Sequence, residues 1–322
     1  MQYRTLGRTG VKVSQLCFGT MSFGGDADGA TSEQMFNRTR DAGINFYDTA
    51  DMYSKGGSEE ILGRLIAGCR DDIVLTSKCF NPIRDEINAS GLSRRYIMQA
   101  VEASLKRLNT DRIDLYFCHM FDDDTPIDET LRALDDLVHQ GKILYVGVSN
   151  WAAWQVAKAQ GIAARDGLAR IECLQPMYSL TKRAAEIEIL PCAVSEEIGV
   201  ISYSPLGGGL LTGKYGRDKR PESGRLIEND MYARRYAAES YYDVADRFVA
   251  HAAAEGVHPA TLAVAWVMKN PAITAPIIGA RNLEQLESSL MVLDYEFTDA
   301  HYETITALSI DPPLATDRAE EK

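Results

Sequence analysis

Residues 114–150 read DLYFCHMFDDDTPIDETLRALDDLVHQGKILYVGVSN: an apolar run closing on a histidine, an amphipathic stretch, and a second apolar run closing on Ser-Asn. The β-branched and aromatic residues of 114–119 and 143–150 predict strands, and 127–140 between them predicts a helix. A helical crossover makes two such strands parallel and the connection right-handed. The same unit recurs along the chain. Further strands are expected at 16–20, 45–50, 73–78, 171–175, 200–205 and 273–279, with helices at 31–42, 58–67, 93–108, 152–164, 184–197, 240–255 and 283–290. Eight alternating units predict an α/β fold, a closed (β/α)8 TIM barrel, as one domain over 1–322. Residues 3–6 and 11–13, joined by Gly-Arg-Thr-Gly, predict a hairpin that plugs the barrel bottom. Residues 299–308 predict an extra C-terminal helix, and the Pro-rich, charged 311–322 a loose tail.

The 322 residues include 34 basic and 46 acidic side chains, a net charge of −12. That balance argues against nucleic acid or an anionic membrane as the main partner. There is no apolar run long enough to cross a bilayer and no signal-like pattern at Met1, so a cytoplasmic location is expected. Cys17, Cys69, Cys79, Cys118, Cys173 and Cys192 form no C-x-x-C pair. They read as buried free thiols rather than disulfides or zinc ligands, and no metal site is expected.

In a (β/α)8 barrel chemistry is built at the carboxyl ends of the strands. The second strand ends NFYDTADMY, with Asp48 and Tyr53; the third ends LTSK, with Lys78; the fourth ends DLYFCH, with His119. Singly, each has a plain structural reading: a helix cap, a rim aromatic, a solvated strand end, a core histidine. Together they solve an acid–base problem. A tyrosine hydroxyl, with an ordinary pKa of about 10, is a poor proton donor near neutrality. A lysine cation beside it stabilises tyrosinate, a carboxylate keeps the buried lysine charged, and a histidine can hold a carbonyl oxygen in line. The hydride that would complete a reduction cannot come from a side chain.

The stretch PLGGGLLTGKYG, residues 205–216, comes one residue short of a P-loop: Gly208 to Lys214 reads G-x-x-x-x-G-K, but Tyr215 stands where a Mg²⁺-binding hydroxyl belongs. A P-loop runs into a helix, whereas 216–224 is polar and broken by Gly and Pro. A phosphate cradle after the seventh strand is the better reading.

These residues resemble the aldo-keto reductase superfamily. The resemblance runs through RTLG near the N-terminus, GTM at 19–21, YDTADMY, GSEEILG, LTSK, DLYFCH, GKILYVGVSN, QPMYS, YSPLGGGLLTGKY and PIIGARNLEQLE, in order over about nine tenths of the chain. It implies a (β/α)8 barrel that binds NADP(H) without metal, with a catalytic tetrad of Asp48, Tyr53, Lys78 and His119. Tyr53 would be the general acid, tuned by Lys78 and Asp48, with His119 orienting the carbonyl. The resemblance places Ser149, Asn150 and Gln175 at the nicotinamide carboxamide, Tyr203 on the ring face, and Gly19, Thr20 and Met21 at the same end. Ser204, Leu206, Gly207, Gly208 and Lys214 would hold the pyrophosphate, and Gly279, Arg281, Gln285 and Ser289 the adenosine. The family commonly has Glu then Asn where this chain has Ser288 and Ser289, and serine reaches less far toward an adenine.

Residues 214–225 hold five basic and two acidic residues, net +3 inside a −12 protein, and read as a flexible lid. Arginine suits a 2′-phosphate, whereas an NAD site usually offers a carboxylate to the ribose. With no acidic residue evident, the expectation is NADP(H), with Arg281 and Arg225 at the 2′-phosphate. Met21, Phe23, Met120, Phe121 and Trp151 are the candidates for the substrate mouth beside Tyr53 and His119, suiting an aldehyde or ketone with an apolar face, sugars included. The resemblance extends to reductases and dehydrogenases of sugars, polyols and small aldehydes. Two other classes stay open: a cofactor-binding regulatory or sensor subunit with slow turnover, and a phosphate-binding isomerase or lyase. A homo-oligomer is also left open.

Overall fold

In the computed structural model residues 1–316 and 318 are described. Strand β1 (Tyr3–Thr5) pairs antiparallel with β2 (Lys12–Ser14). Then follow β3 (Cys17–Gly19), α1 (Gly29–Asp41), β4 (Phe46–Asp48), α2 (Gly57–Ile66), β5 (Val74–Cys79), α3 (Arg94–Leu108), β6 (Ile113–Cys118), α4 (Ile127–His139), β7 (Ile143–Ser149), α5 (Ala153–Asp166), β8 (Ile171–Gln175), α6 (Ile189–Ser195) and β9 (Gly199–Ser202). After β9 come α7 (Arg225–Glu228), α8 (Asp230–Arg235), α9 (Glu239–Ala254), α10 (Pro259–Lys269), β10 (Ala275–Ile278), α11 (Leu283–Leu290) and α12 (Asp299–Thr306). Strands β3 to β10 close on themselves in chain order, β10 pairing with both β9 and β3, every pair parallel. This is the (β/α)8 TIM barrel that the alternation predicts.

The period-two alternation of a strand sorts side chains between two cores. Phe46, Val74, Leu115, Phe117, Cys173, Ile201 and Ile277 fill the barrel interior, while Tyr47, Leu75, Tyr116, Cys118 and Leu174 pack outward under the helices. The hairpin closes the amino end: Leu6 and Val13 join the interior cluster. Gly7 is needed at that seal. Its φ is +48°, and a Cβ there would stand 2.7 Å from the Gly199 backbone nitrogen.

The elements depart from expectation in three places. No helix is foreseen at 259–269, yet α10 runs there, because Leu262 to Val267 are all buried and an all-round apolar helix has no amphipathic period to read. The helix foreseen at 184–197 is a 3-10 turn (Ala184–Glu186) followed by α6, which restarts so that Pro191, lacking an N–H, sits in a first turn. The lid is not a bare polar loop. Tyr215 is buried, its hydroxyl accepting from Leu226 N, and 225–235 coil into α7 and α8. Of the tail, 317 and 319–322 lie outside the described residues, and at its start Asp311 pairs with Arg183 at 2.9 Å. All six cysteines are free.

Candidate active site

The alternation that sends Phe46, Thr76, Phe117 and Cys173 inward puts Asp48, Lys78, His119 and Gln175 one layer above them, at the carboxyl rim. Asp48 Oδ2 accepts from Lys78 Nζ at 2.6 Å, and its Oδ1 accepts from Thr76 Oγ1 at 2.7 Å and Gln175 Nε2 at 2.9 Å. Lys78, fully buried, also donates to the Thr49 carbonyl at 2.7 Å and reaches the Tyr53 hydroxyl at 3.4 Å. Tyr53 comes from the turn after β4. Ser54 and Lys55 there take left-handed backbone, φ 50° and 55°, costly for non-glycine residues and typical of functional sites. Ser54 Oγ donates to the Phe23 carbonyl at 2.8 Å and so ties the turn to the loop after β3.

Burial, the largest effect, pushes the Tyr53 hydroxyl above its ordinary range, and Lys78 pulls it only part of the way back. Lys78 acts in the expected direction, but burial outweighs it: in the free site Tyr53 is protonated, a donor. For Lys78 burial pulls down, but Asp48 and Tyr53 more than restore the charge and leave the ammonium above its usual range. His119 is pulled down to about 3 by burial and then by Lys78, so it is a neutral imidazole at neutral pH. Asn81 Nδ2, a donor only, lies 3.3 Å from His119 Nδ1; that makes Nδ1 the acceptor and leaves the ring proton on Nε2. The Tyr53 and His119 rings meet edge to face, 6.0 Å apart.

A hydrogen-bonded network joins the neighbouring strand ends. Tyr203 donates to Asn150 Oδ1 at 2.7 Å; Asn150 Nδ2 donates to the His119 carbonyl and to Ser149 Oγ; Ser149 donates to the Gln175 carbonyl at 2.8 Å. Burial holds the Tyr203 hydroxyl up at about 12.

From this rim a cavity of about 620 Å³ runs to Arg281 and Gln285. Gly19, Met21, Asp48, Tyr53, His119, Met120, Ser149, Asn150, Gln175, Tyr203, Ser204, Leu206, Gly208, Lys214, Arg225, Gly279, Arg281 and Gln285 line it. Other sequence candidates lie off its wall. Thr20 is buried and donates to the Asp48 carbonyl; Gly207 is buried in the turn; Ser289 is buried with its hydroxyl unpartnered, while Ser288 faces the cavity. Phe23 is core, and Phe121 packs edge-on against buried Trp151 at 4.9 Å. Several lining residues escaped the sequence reading: Met52, Asn81, Met231, Tyr232 and Arg235. Tyr232 and Arg235 belong to α8, which lies beyond the 214–225 segment read as a lid.

The far end suits a polyanion. Gly208 and Gly209 turn with φ 66° and 100°, and a Cβ on Gly208 would press within 3.1 Å of the Tyr232 ring. Lys214 and Arg225 line the cavity and form no ion pair among the described residues. Burial, then Arg281 and Arg225, pull the Lys214 ammonium below its usual range, the mark of a cation cluster that an anion would relieve. Arg281 is differently placed from expectation: carboxylates do stand beside it, Asp26 at 2.9 Å and Glu228 at 3.5 Å.

Comparison with known proteins agrees with this geometry. The model of the Aldo/keto reductase family matches residues 15–310. An uncharacterized oxidoreductase YrpG of Bacillus subtilis is 39% identical, with 91% of each chain covered. A probable voltage-gated potassium channel subunit beta of Arabidopsis thaliana is 36% identical over 91% of this chain and 92% of its own. Norsolorinic acid reductase stcV of Emericella nidulans is 34% identical over 90% of this chain and 76% of its own. With a strand-end Asp-Tyr-Lys-His cluster in a closed barrel and a family match over nearly its whole length, the chain belongs to the aldo/keto reductase family of oxidoreductases.

Proposed function

We propose that the protein reduces an aldehyde or ketone to the alcohol using NADP(H), with Tyr53 as general acid. The observation that carries this is Lys78, buried and held between Asp48 and Tyr53 beside a neutral His119. A nicotinamide dinucleotide, when bound, supplies the hydride. The chain's own groups do the rest. Ser149, Asn150 and Gln175 would hold the carboxamide, Tyr203 the ring, Lys214 and the turn at Gly208 the pyrophosphate, and Arg225 the 2′-phosphate beside Arg281. His119 Nε2–H donates to the carbonyl oxygen and orients it. Tyr53 passes its proton to that oxygen, and Lys78 stabilises the tyrosinate left behind, itself kept charged by Asp48. Arg281 and Gln285 face the adenosine end, and Arg281 favours a 2′-phosphate once it is released from Asp26 and Glu228.

The test is a panel of aldehydes and ketones followed at the nicotinamide absorbance, with NADPH and NADH in parallel. Steady turnover with NADPH supports the reading; no turnover with any carbonyl and either coenzyme sinks it. A second reading, a coenzyme-binding regulatory subunit, draws on the 36% identity to a protein named as a channel subunit. It requires a single burst of NADPH oxidation without steady turnover.

A further inference from the structure

The cations of the cavity fall into two groups. Lys214 feels Arg281 and Arg225, assigned to coenzyme phosphates. Arg235, the last residue of α8, lines the same cavity, sharing the Tyr232 ring with Arg225, and acts on the Tyr203 and Tyr236 hydroxyls. It is half-buried and forms no ion pair among the described residues; its contacts are Met231 Sδ at 3.7 Å and the Tyr232 ring at 5.1 Å. A half-buried guanidinium with no carboxylate of its own is a site for a planar anion.

Around the same mouth stand four methionines from separate excursions of the chain: Met21 after β3, Met52 after β4, Met120 after β6 and Met231 in α8. They are 38%, 39%, 41% and 48% exposed, among the large apolar side chains left open to solvent. Thioethers donate no hydrogen bond, accept weakly, adapt their shape and pack well against aromatic rings. Phe23, Phe121 and Trp151 do not line the cavity, whose rings are those of Tyr53, Tyr203 and Tyr232. The methionines make an apolar, soft wall, and Arg235 stands against it through Met231.

We infer that the substrate is a carbonyl compound with a flat apolar body and an anionic group such as a carboxylate, the body lying in the collar of Met21, Met52, Met120 and Met231 and the anion on Arg235. This rests on the reductase reading for the carbonyl but not for the anion or the collar. The test is therefore a binding titration. 2-Naphthoate and 2-naphthamide, equal in shape and differing in charge, are titrated by protein fluorescence with NADP⁺ at saturation, which occupies the phosphate cations. The naphthoate should bind at least about tenfold more tightly, a difference of about 1.4 kcal/mol. Arg235→Gln should erase that preference and Arg235→Lys keep part of it. Met52→Gln with Met231→Gln should weaken both ligands alike. Equal affinity of the two ligands for the natural protein, or a preference that survives Arg235→Gln, overturns the inference. A naphthoate preference in a protein that turns over no carbonyl would instead leave the anion site and the collar standing and remove the reductase reading.

Discussion

His119, half-buried just past β6, and Asp51, buried in the turn after β4, are ionisable groups whose protonation burial drives in opposite senses. His119 falls to about 3, against about 6.5 in an unfolded chain, so the unfolded state binds the extra proton between those values. Its contribution is complete above pH 6.5 and is lost as pH falls, about 2 kcal/mol by pH 5. Asp51 is fully buried with neither carboxylate oxygen hydrogen-bonded, and burial followed by Glu59 raises it to about 7. Here the folded state holds the proton, so stability is complete below about pH 4 and is lost as pH rises to 7, by roughly 4 kcal/mol. The two slopes oppose each other in the natural protein. Asp51→Asn should raise the urea midpoint at pH 8 and not at pH 4, and His119→Gln should remove the loss between pH 6.5 and 5; unchanged midpoints in both would show that burial does not govern these groups. Asp48, Lys78 and His119 were legible because each closes an apolar run. Asp51 sits in the same motif but was not, since its isolation depends on how α2 and α3 pack behind it, where Arg107 pairs with Glu59 at 2.7 Å.

Among elements, the excursion between β9 and α9 separates what sequence can tell from what it cannot. Its glycine turn was readable because positive φ at Gly208 and Gly209 demands glycine. Its two short helices were not, being four and six residues long and too brief to display a period. That is why Tyr232 and Arg235 went unseen, and why the acidic neighbours of Arg281 did too: Asp26 comes from the loop before α1 and Glu228 from α7, both more than fifty residues earlier in the chain. The clasp they form sets a prediction for coenzyme choice. Asp26→Asn with Glu228→Gln frees Arg281 from both carboxylates, so affinity for NADPH should rise severalfold while NADH changes less, read by fluorescence titration. A rise shared equally by both coenzymes would mean that Arg281 does not meet the 2′-phosphate. The aromatic candidates show the opposite limit. Phe23 sits four residues past the end of β3 and Trp151 two past the end of β7, and only the packed structure shows that their rings turn into the core.

The whole molecule makes the site. Asp48, Lys78, His119 and Gln175 lie on four strands spread over more than 120 residues of sequence, and only closure of β10 onto β3 brings them round one rim. Closure was foreseeable from eight alternating units, and with it the layer in which strand-end residues meet. The balance inside that layer was not, because the depth that protects the Lys78–Asp48 pair also drives the Tyr53 hydroxyl upward. The central claim is that this layer moves a proton through Tyr53. The direct measurement is steady-state reduction of 4-nitrobenzaldehyde by NADPH in the natural protein and in Tyr53→Phe, with coenzyme affinity of each measured by fluorescence. The account predicts a fall in kcat of between about 10² and 10⁴ with coenzyme affinity kept; turnover in Tyr53→Phe equal to that of the natural protein would contradict it.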